Sequence, residues 1–384
     1  MRPTVITHMG LRPVDKMRDI ETCDEAVGLL TTYRCNLNCK YCYISCKQSK
    51  DMSLEQAKEI LTPILSRRAG TVDIVFMGGE TLLAEKMVRS LVEWAVAGNW
   101  ERDYRFFGST NGTLLTEELK GWLSEYRDVV TLGLSYDGLP SVQKMNRGNR
   151  TDIDLEFFRR TWPHQKIQMT INAESVYSMA DGIIFLLERG HLVNPNVAYE
   201  EKQWSRRDIR EYRHQLARLI DYYSEHPDTP VIPQFSHNLP MYAYCLEHPV
   251  EQMEQCGAGN GFWVYDVDGK RYPCHILSPL VLDTDSLERL NGIDFQGRNS
   301  FADANCYGCP YISACPTCIG CNFIYRGGIQ NRDRTHCEIM RLEVRAYMKL
   351  ETMRLMKKKE NTPEDALEVD AIKALFMNEA RTRY

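Results

Sequence analysis

Three cysteines fall within eight residues, Cys35-Asn36-Leu37-Asn38-Cys39-Lys40-Tyr41-Cys42. Thiolates at that spacing can wrap one face of a [4Fe–4S] cube and leave its fourth iron without a protein ligand. Structural zinc takes four ligands, and none lies in register unless Cys46 or a distant residue supplies it, so zinc remains an open alternative here. The whole chain carries 14 cysteines in 384 residues: five at 23–46, none from 47 to 244, and nine from Cys245 to Cys337. Clustered thiols in a reducing compartment read as metal or cluster ligands rather than disulfides. The later group is numerous enough for further metal or cluster sites, and a pair of zinc knuckles suits the spacings around 306–321. For Cys23, Cys46 and Cys245 the default is a buried structural thiol.

The elements that must position these residues follow from periodicity. Short apolar runs, Ala26–Thr32, Val72–Met77, Tyr104–Gly108, Val129–Ser135, Lys166–Ile171 and Val193–Tyr199, alternate with helical patterns. Ser53-Leu54-Glu55-Gln56 is a capping box, Thr116 precedes two acids that suit a helix N-terminus, and Ser205-Arg206-Arg207-Asp208 opens a helix to about Tyr223. Strand, helix, strand in repetition implies right-handed βαβ units and a parallel sheet. Six units are too few for a closed eight-fold barrel, so the expected fold is α/β, a partial (β/α)6 TIM-like barrel over 22–230. A small Cys-rich domain over 231–345 should follow, with a β-hairpin (Phe262–Asp266, Lys270–Cys274) around Asp268-Gly269, and then helices over 346–384. The last of these begins at Thr362-Pro363-Glu364-Asp365.

Polar residues collect where the strands end, the edge on which barrel sites are built. Gly78-Gly79-Glu80 ends the second strand: two glycines let backbone approach a ligand, and Glu80 can accept from an ammonium. Ser109-Thr110-Asn111-Gly112 ends the third and Ser135-Tyr136-Asp137-Gly138 the fourth, with Arg147 and Asn172 nearby in the pattern. Each of these could instead be a turn former.

The triad, with Tyr41 before its last cysteine, resembles the signature of the radical S-adenosylmethionine (radical SAM) superfamily. The resemblance implies a cluster at Cys35, Cys39 and Cys42 whose open iron chelates S-adenosylmethionine, and reductive cleavage to a 5′-deoxyadenosyl radical that abstracts hydrogen from a substrate. It implies that Gly78-Gly79-Glu80 holds the methionine amino group, although Thr81 stands where proline is common. It makes Ser135 and Asp137 candidates for ribose or carboxylate contacts, with Asn111, Arg147 and Asn172 as further cofactor-pocket candidates. Cys256-(12)-Gly269-(4)-Cys274, followed by Cys306-(2)-Cys309-(5)-Cys315, Cys318, Cys321 and Cys337, resembles the SPASM extension of these enzymes. That resemblance implies two auxiliary [4Fe–4S] clusters, three in all. The outer would sit on Cys306, Cys309, Cys315 and Cys337, the inner on Cys256 and Cys274 with Cys318, Cys321 or both. The family's next cysteine falls four residues after Cys315, where this chain has Ile319.

The function expected from the resemblance is maturation of a ribosomally made peptide, including joining a cysteine sulfur to another residue's carbon if an open inner iron binds the thiolate. A sulfatase-maturing oxidase making formylglycine is the alternative. In that branch an aspartate base follows the inner-cluster cysteine, and here the position is His275, a candidate base near neutral pH. A non-catalytic zinc or iron–sulfur module is the third reading. The expected partners are a peptide substrate and a flavodoxin- or ferredoxin-type reductant. About 25 residues precede the first strand and about 45 follow the last cysteine, less than the ~50 a domain needs, so leader binding could require a separate protein. A formal charge of −5 argues against nucleic acid as partner. No run approaches the ~20 apolar residues of a membrane span, and Met1-Arg2-Pro3-Thr4-Val5 does not open a signal peptide, so the expected compartment is the cytoplasm.

Overall fold

The computed structural model describes residues 25–44, 47–67, 70–148, 152–199, 204–249, 256–295, 302–312, 314–315 and 317–381. Cys23 and Cys46 lie outside the described residues. The strands are β1 (Glu25–Thr32), β2 (Thr71–Gly78), β3 (Asp103–Thr110), β4 (Val130–Leu134), β5 (Ile167–Ile171) and β6 (Val193–Val197), then β7 (Phe262–Tyr265) and β8 (Arg271–Tyr272). The helices around the barrel are α1 (Leu54–Leu65), α2 (Glu85–Ala97), α3 (Glu117–Glu125), α4 (Pro140–Arg147), α5 (Leu155–Thr161), α6 (Met179–Leu187) and α7 (Arg206–Glu225). They are followed by α8 (Leu239–Glu247), α9 (Thr284–Leu290), α10 (Ile319–Arg326), α11 (Arg334–Lys357) and α12 (Pro363–Arg381).

β1 to β4 pair in parallel, each with the next. β5 and β6 form a second parallel pair, joined to β4 by a bridge between Ser135 and Gln168 in which the Tyr136 amide donates to the Gln168 carbonyl at 3.0 Å. This is the open six-strand α/β barrel that the spacing predicts. β1 is covered on both faces, so it reads as a continuous apolar run: Ala26, Val27, Leu29 and Leu30 are at most 3% exposed. Caps form at the three expected helix starts, with only the hydroxyl half of the expected box present at Ser53. The Ser53 and Thr116 hydroxyls accept from the amides of Gln56 and Leu119, and Ser205 with Asp208 makes a reciprocal box. In α7 the buried residues Tyr212, Leu216, Leu219 and Tyr223 recur at the helical period and face the core.

The Cys-rich hairpin departs from a self-contained appendage. β7 pairs in parallel with β1 from Ala26–Phe262 to Leu29–Tyr265, so β1 becomes an interior strand of a six-stranded sheet ordered β4-β3-β2-β1-β7-β8. Only two pairs link β7 to β8, which makes the hairpin shorter than its alternation suggests. α9 and α10 also form where the sequence shows chiefly turn signals. The arginine run at 206–207 and the lysine run at 357–359 are exposed, as expected of solvated faces. No helix among the described residues is long and apolar enough to cross a membrane.

Candidate active site

The triad loop leaves the end of β1 and is closed at its base. The Tyr33 amide donates to the Lys50 carbonyl at 2.9 Å and the Met52 amide to the Thr31 carbonyl at 3.0 Å. Arg34 bridges to Asp51 at 2.7 Å and donates to the Leu83 carbonyl at 2.8 Å. The three thiols are half-buried. Burial pushes the Cys39 thiol up, Arg147 opposes this, and Cys42, Cys35 and Asp137 reinforce it; Cys35 is likewise pushed up, chiefly by burial. The three thiols therefore share one electrostatic neighbourhood. Among the described residues no three His, Cys, Asp or Glu side chains are grouped to hold a single metal ion. Sulfurs around a tetrahedral ion with ~2.3 Å bonds must nearly touch, whereas ligands on separate corners of a cube stand further apart. A loop of three soft donors, half-open and backed by a cation, thus fits a cluster face.

Gly78 and Gly79 serve the loop rather than only an incoming ligand. A Cβ on Gly78, whose φ is +137°, would lie 2.2 Å from the Thr32 carbonyl oxygen. One on Gly79 would lie 2.1 Å from the Arg34 carbonyl oxygen and 3.0 Å from the Cys35 Cβ. The amides of Gly79 and Glu80 donate to the carbonyls of Thr32 and Arg34 at 2.9 and 2.8 Å. The motif is therefore laid against the backbone that carries the first cysteine. Glu80 is 2% exposed. Its Oε1 accepts from Thr110 Oγ1 at 2.7 Å and the Leu82 amide at 3.1 Å, and its Oε2 from the Asn111 amide at 2.8 Å. Burial raises its carboxyl despite these three donors. A carboxylate has about four acceptor positions, so capacity for one more donor remains on Oε2.

Asp137 is a hub, fully buried at 0% exposure. It accepts from Tyr41 Oη at 2.6 Å, Asn146 Nδ2 at 3.1 Å, an Arg147 guanidinium nitrogen at 3.0 Å and the Thr170 amide at 3.1 Å. Those donors come from the triad loop, α4 and β5, so one carboxylate ties three elements together. Arg147 also lies 5.4 Å from the Tyr41 ring centroid, and its Nε is buried without a partner among the described residues. Asn111 and Asn172 are engaged as well: the Asn111 amide reaches Asn36 at 2.9 Å, and that of Asn172 reaches Asn146 at 3.2 Å. Ser135 alone of this group makes no side-chain hydrogen bond to a described residue. Sequence reasoning missed Asn146, the next-to-last residue of α4, whose helical register alone brings it to Asp137.

The later cysteines divide into two sets. Cys306, Cys309, Cys315 and Cys337 line one pocket, together with Arg332 and Arg341. Cys274, Cys318 and Cys321 belong to one buried cluster, with Cys256 packed against it. Cys318 caps α10, its sulfur accepting from the Cys321 amide at 3.4 Å. The hydrogen bond from the Cys321 thiol holds the Cys318 thiol low and pushes Cys321 up. Both candidate thiols therefore reach the inner set. Tyr43, next to Cys42, packs against both the barrel core and this buried cluster, and its ring centroid lies 5.4 Å from that of His275. Neither Tyr43 nor Arg332 carries a spacing signal in the sequence. Cys245 is buried at 1% exposure, the default expected of it.

Residues 29–160 match the model of the radical SAM superfamily, a stretch holding the triad, Glu80, Asp137 and Arg147. The chain contains a radical SAM domain. As a radical SAM enzyme it resembles the radical SAM cyclopropyl synthase TigE of Paramaledivibacter caminithermalis, at 22% identity over 88% of this chain and 77% of the relative. Curated relatives that reach 33% identity are matched over only 38% and 20% of their own lengths. Among solved structures, native anSMEcpe with bound AdoMet and Cp18Cys peptide superposes with a TM-score of 0.62 at 18% identity, covering 86% of this chain and 100% of that one. Streptococcus suis SuiB bound to precursor peptide SuiA gives a TM-score of 0.52 at 15% identity, covering 82% and 76%. At these identities the likeness shows a shared fold.

Proposed function

We propose that this radical SAM enzyme is a SPASM-type peptide maturase that uses three [4Fe–4S] clusters. A reduced cluster with S-adenosylmethionine on its open iron supplies a carbon-centred radical able to take hydrogen from an unactivated C–H bond. The observation that carries the reading is Tyr43, next to Cys42, packed against both the barrel core and the Cys274–Cys318–Cys321 cluster, which sets a second group of thiols beside the site. Support for a peptide comes from structures of the same fold that hold one.

In this reading the candidate residues separate into contact and positioning groups. Glu80, with its remaining acceptor position, takes the methionine ammonium, and the unengaged Ser135 hydroxyl meets the ribose or carboxylate. Asp137, Asn111 and Asn172 hold the loop and its neighbours, since their polar atoms are committed within the protein. Tyr41 and Arg147 form the wall beneath the triad. His275, against Tyr43 and directly after Cys274, is the candidate base for a substrate proton. Electrons come from a flavodoxin- or ferredoxin-type donor, and a separate leader-binding protein presents the peptide if the barrel surface does not.

The test is anaerobic reconstitution. About twelve irons and formation of 5′-deoxyadenosine, lost together with four irons when Cys35, Cys39 and Cys42 become Ala, is the expected result. Zinc in place of iron, or iron without deoxyadenosine under strong reductant, overturns the reading. For thioether formation at an open inner iron, Cys318→Ala or Cys321→Ala abolishes crosslinking of the peptide while S-adenosylmethionine cleavage persists. Crosslinking that survives both substitutions refutes that step.

A further inference from the structure

Arg332 lies between α10 and α11, against the outer thiol set, and is only 9% exposed. One guanidinium nitrogen donates to Cys306 Sγ at 3.1 Å. The other donates to Cys315 Sγ at 3.4 Å and to the Cys315 carbonyl at 3.1 Å. A single planar fork thus grips two thiols that are nine positions apart in sequence, and it lines the pocket that Cys309 and Cys337 complete. Guanidinium is charged at every accessible pH, so burying it here commits a full positive charge to the sulfurs. The carboxylates nearby are Asp303, which lines the pocket and interacts with Arg332, and the adjacent Asp333, one of whose oxygens is taken by Arg326 at 2.6 Å. Cys306, Cys315 and Cys337 supply counter-charge to Arg332 once the thiols ionise.

We infer that Arg332 is a positioning residue of the outer thiol set: it fixes Cys306 and Cys315 for cluster ligation and, by donating to both sulfurs, raises the reduction potential of the cluster they hold. The inference rests on the proposal that Cys306, Cys309, Cys315 and Cys337 bind a [4Fe–4S] cluster. Hydrogen bonds to ligating sulfur withdraw charge from the iron core and favour the reduced, more negative state. A lysine keeps the charge, but its point-like ammonium cannot span two sulfurs and a carbonyl in one plane.

The experiment uses the full chain with Cys35, Cys39 and Cys42 changed to Ala, so that only auxiliary clusters report. Iron and sulfide are counted and each cluster is titrated anaerobically with dithionite under EPR; the cluster that vanishes in Cys309→Ala is the outer one. In Arg332→Gln the reduced-to-oxidised ratio of that cluster at a fixed potential falls about tenfold, which is 59 mV for one electron, while the other cluster is unmoved. In Arg332→Lys it falls about threefold with iron retained. Loss of the outer cluster's four irons from Arg332→Gln, with a far-ultraviolet circular dichroism spectrum like that of the parent, also supports the positioning role. If Arg332→Gln does not fold, Arg332→Lys decides. Full iron and an unmoved midpoint in Arg332→Lys, or in a folded Arg332→Gln, overturns the inference. If Cys309→Ala removes no iron from the parent chain, the outer-cluster proposal on which the inference rests is refuted instead.

Discussion

Asp137→Asn is the most informative single change in the barrel, because its cost can be worked from four contacts. The carboxylate has no solvent exposure and receives donors from Tyr41, Asn146, Arg147 and Thr170. Arg147, 8% exposed, has in Asp137 its paired carboxylate at 3.0 Å. An asparagine of the same shape keeps one acceptor oxygen, turns an NH2 group toward other donors, and removes the counter-charge. Leaving one member of a buried pair unpaired costs about 3–5 kcal/mol, a large share of the ~5–15 kcal/mol that holds a protein folded. The assay is urea unfolding of the anaerobic protein followed by circular dichroism, for Asp137→Asn, Arg147→Gln and the double variant. Each single change lowers stability by several kcal/mol. The double variant loses about 2 kcal/mol less than the sum, since no charge is stranded in it. The same variants lose iron from the triad, because Tyr41 is no longer held. If Asp137→Asn stays within about 1 kcal/mol of the parent and only S-adenosylmethionine binding weakens, Asp137 is a cofactor contact and the hub argument fails.

Three further results are expected. Burial holds the Glu343 carboxyl up to about 7, against an ordinary 4.5, with Tyr212 as its hydrogen-bond donor. The native state therefore keeps a proton that the unfolded chain releases, so stability declines as pH rises from about 4.5 to 7, by about 3 kcal/mol in all. Glu343→Gln flattens that slope in a comparison of denaturant midpoints at pH 5 and pH 8, and an unchanged slope refutes the assignment. Gly79→Ala forces its new methyl to 2.1 Å from the Arg34 carbonyl oxygen, costing about 3 kcal/mol or more and emptying the triad of iron; normal iron loading contradicts this. His275→Gln lowers peptide modification at least tenfold and removes the acidic limb of its pH profile, while 5′-deoxyadenosine formation stays within twofold of the parent. A parallel fall in both activities would make His275 structural.

What the sequence disclosed depends on whether a feature is local. The six strands, the caps at Ser53, Thr116 and Ser205, and the triad are all written in residues within a few positions of one another. Their chemistry survives without knowledge of the rest of the chain. The Asp137 hub was half legible: the residue stands out at a strand end, but its donors come from positions 41, 146, 147 and 170. Asp137 and Asn172 read as cofactor-pocket candidates, and the structure shows their polar atoms hydrogen-bonded within the protein. Gly78 and Gly79 read as room for a ligand, yet the nearest atoms belong to Thr32 and Arg34. Arg332 was invisible, because its grip on Cys306 and Cys315 follows from a loop whose path no short-range pattern encodes. The pairing of β7 with β1 was hidden for the same reason.

That last pairing has a consequence for how the protein is born. Ala26 meets Phe262, a partner 236 positions later, since 262 − 26 = 236. At roughly 5–20 residues per second on the ribosome, β1 waits on the order of ten to fifty seconds after its own synthesis before that side of its hydrogen-bonding ladder is filled. Throughout that interval the apolar segment Ala26–Leu30 is an open edge, the geometry most prone to pairing with another chain. The late hairpin acts as a zip that covers the first edge of the nascent barrel. A chain released before residue 262 would show its absence as aggregation rather than as a smaller, soluble barrel. Synthesis of this enzyme is thus guarded least at its first strand, the one that leads into the cysteine triad.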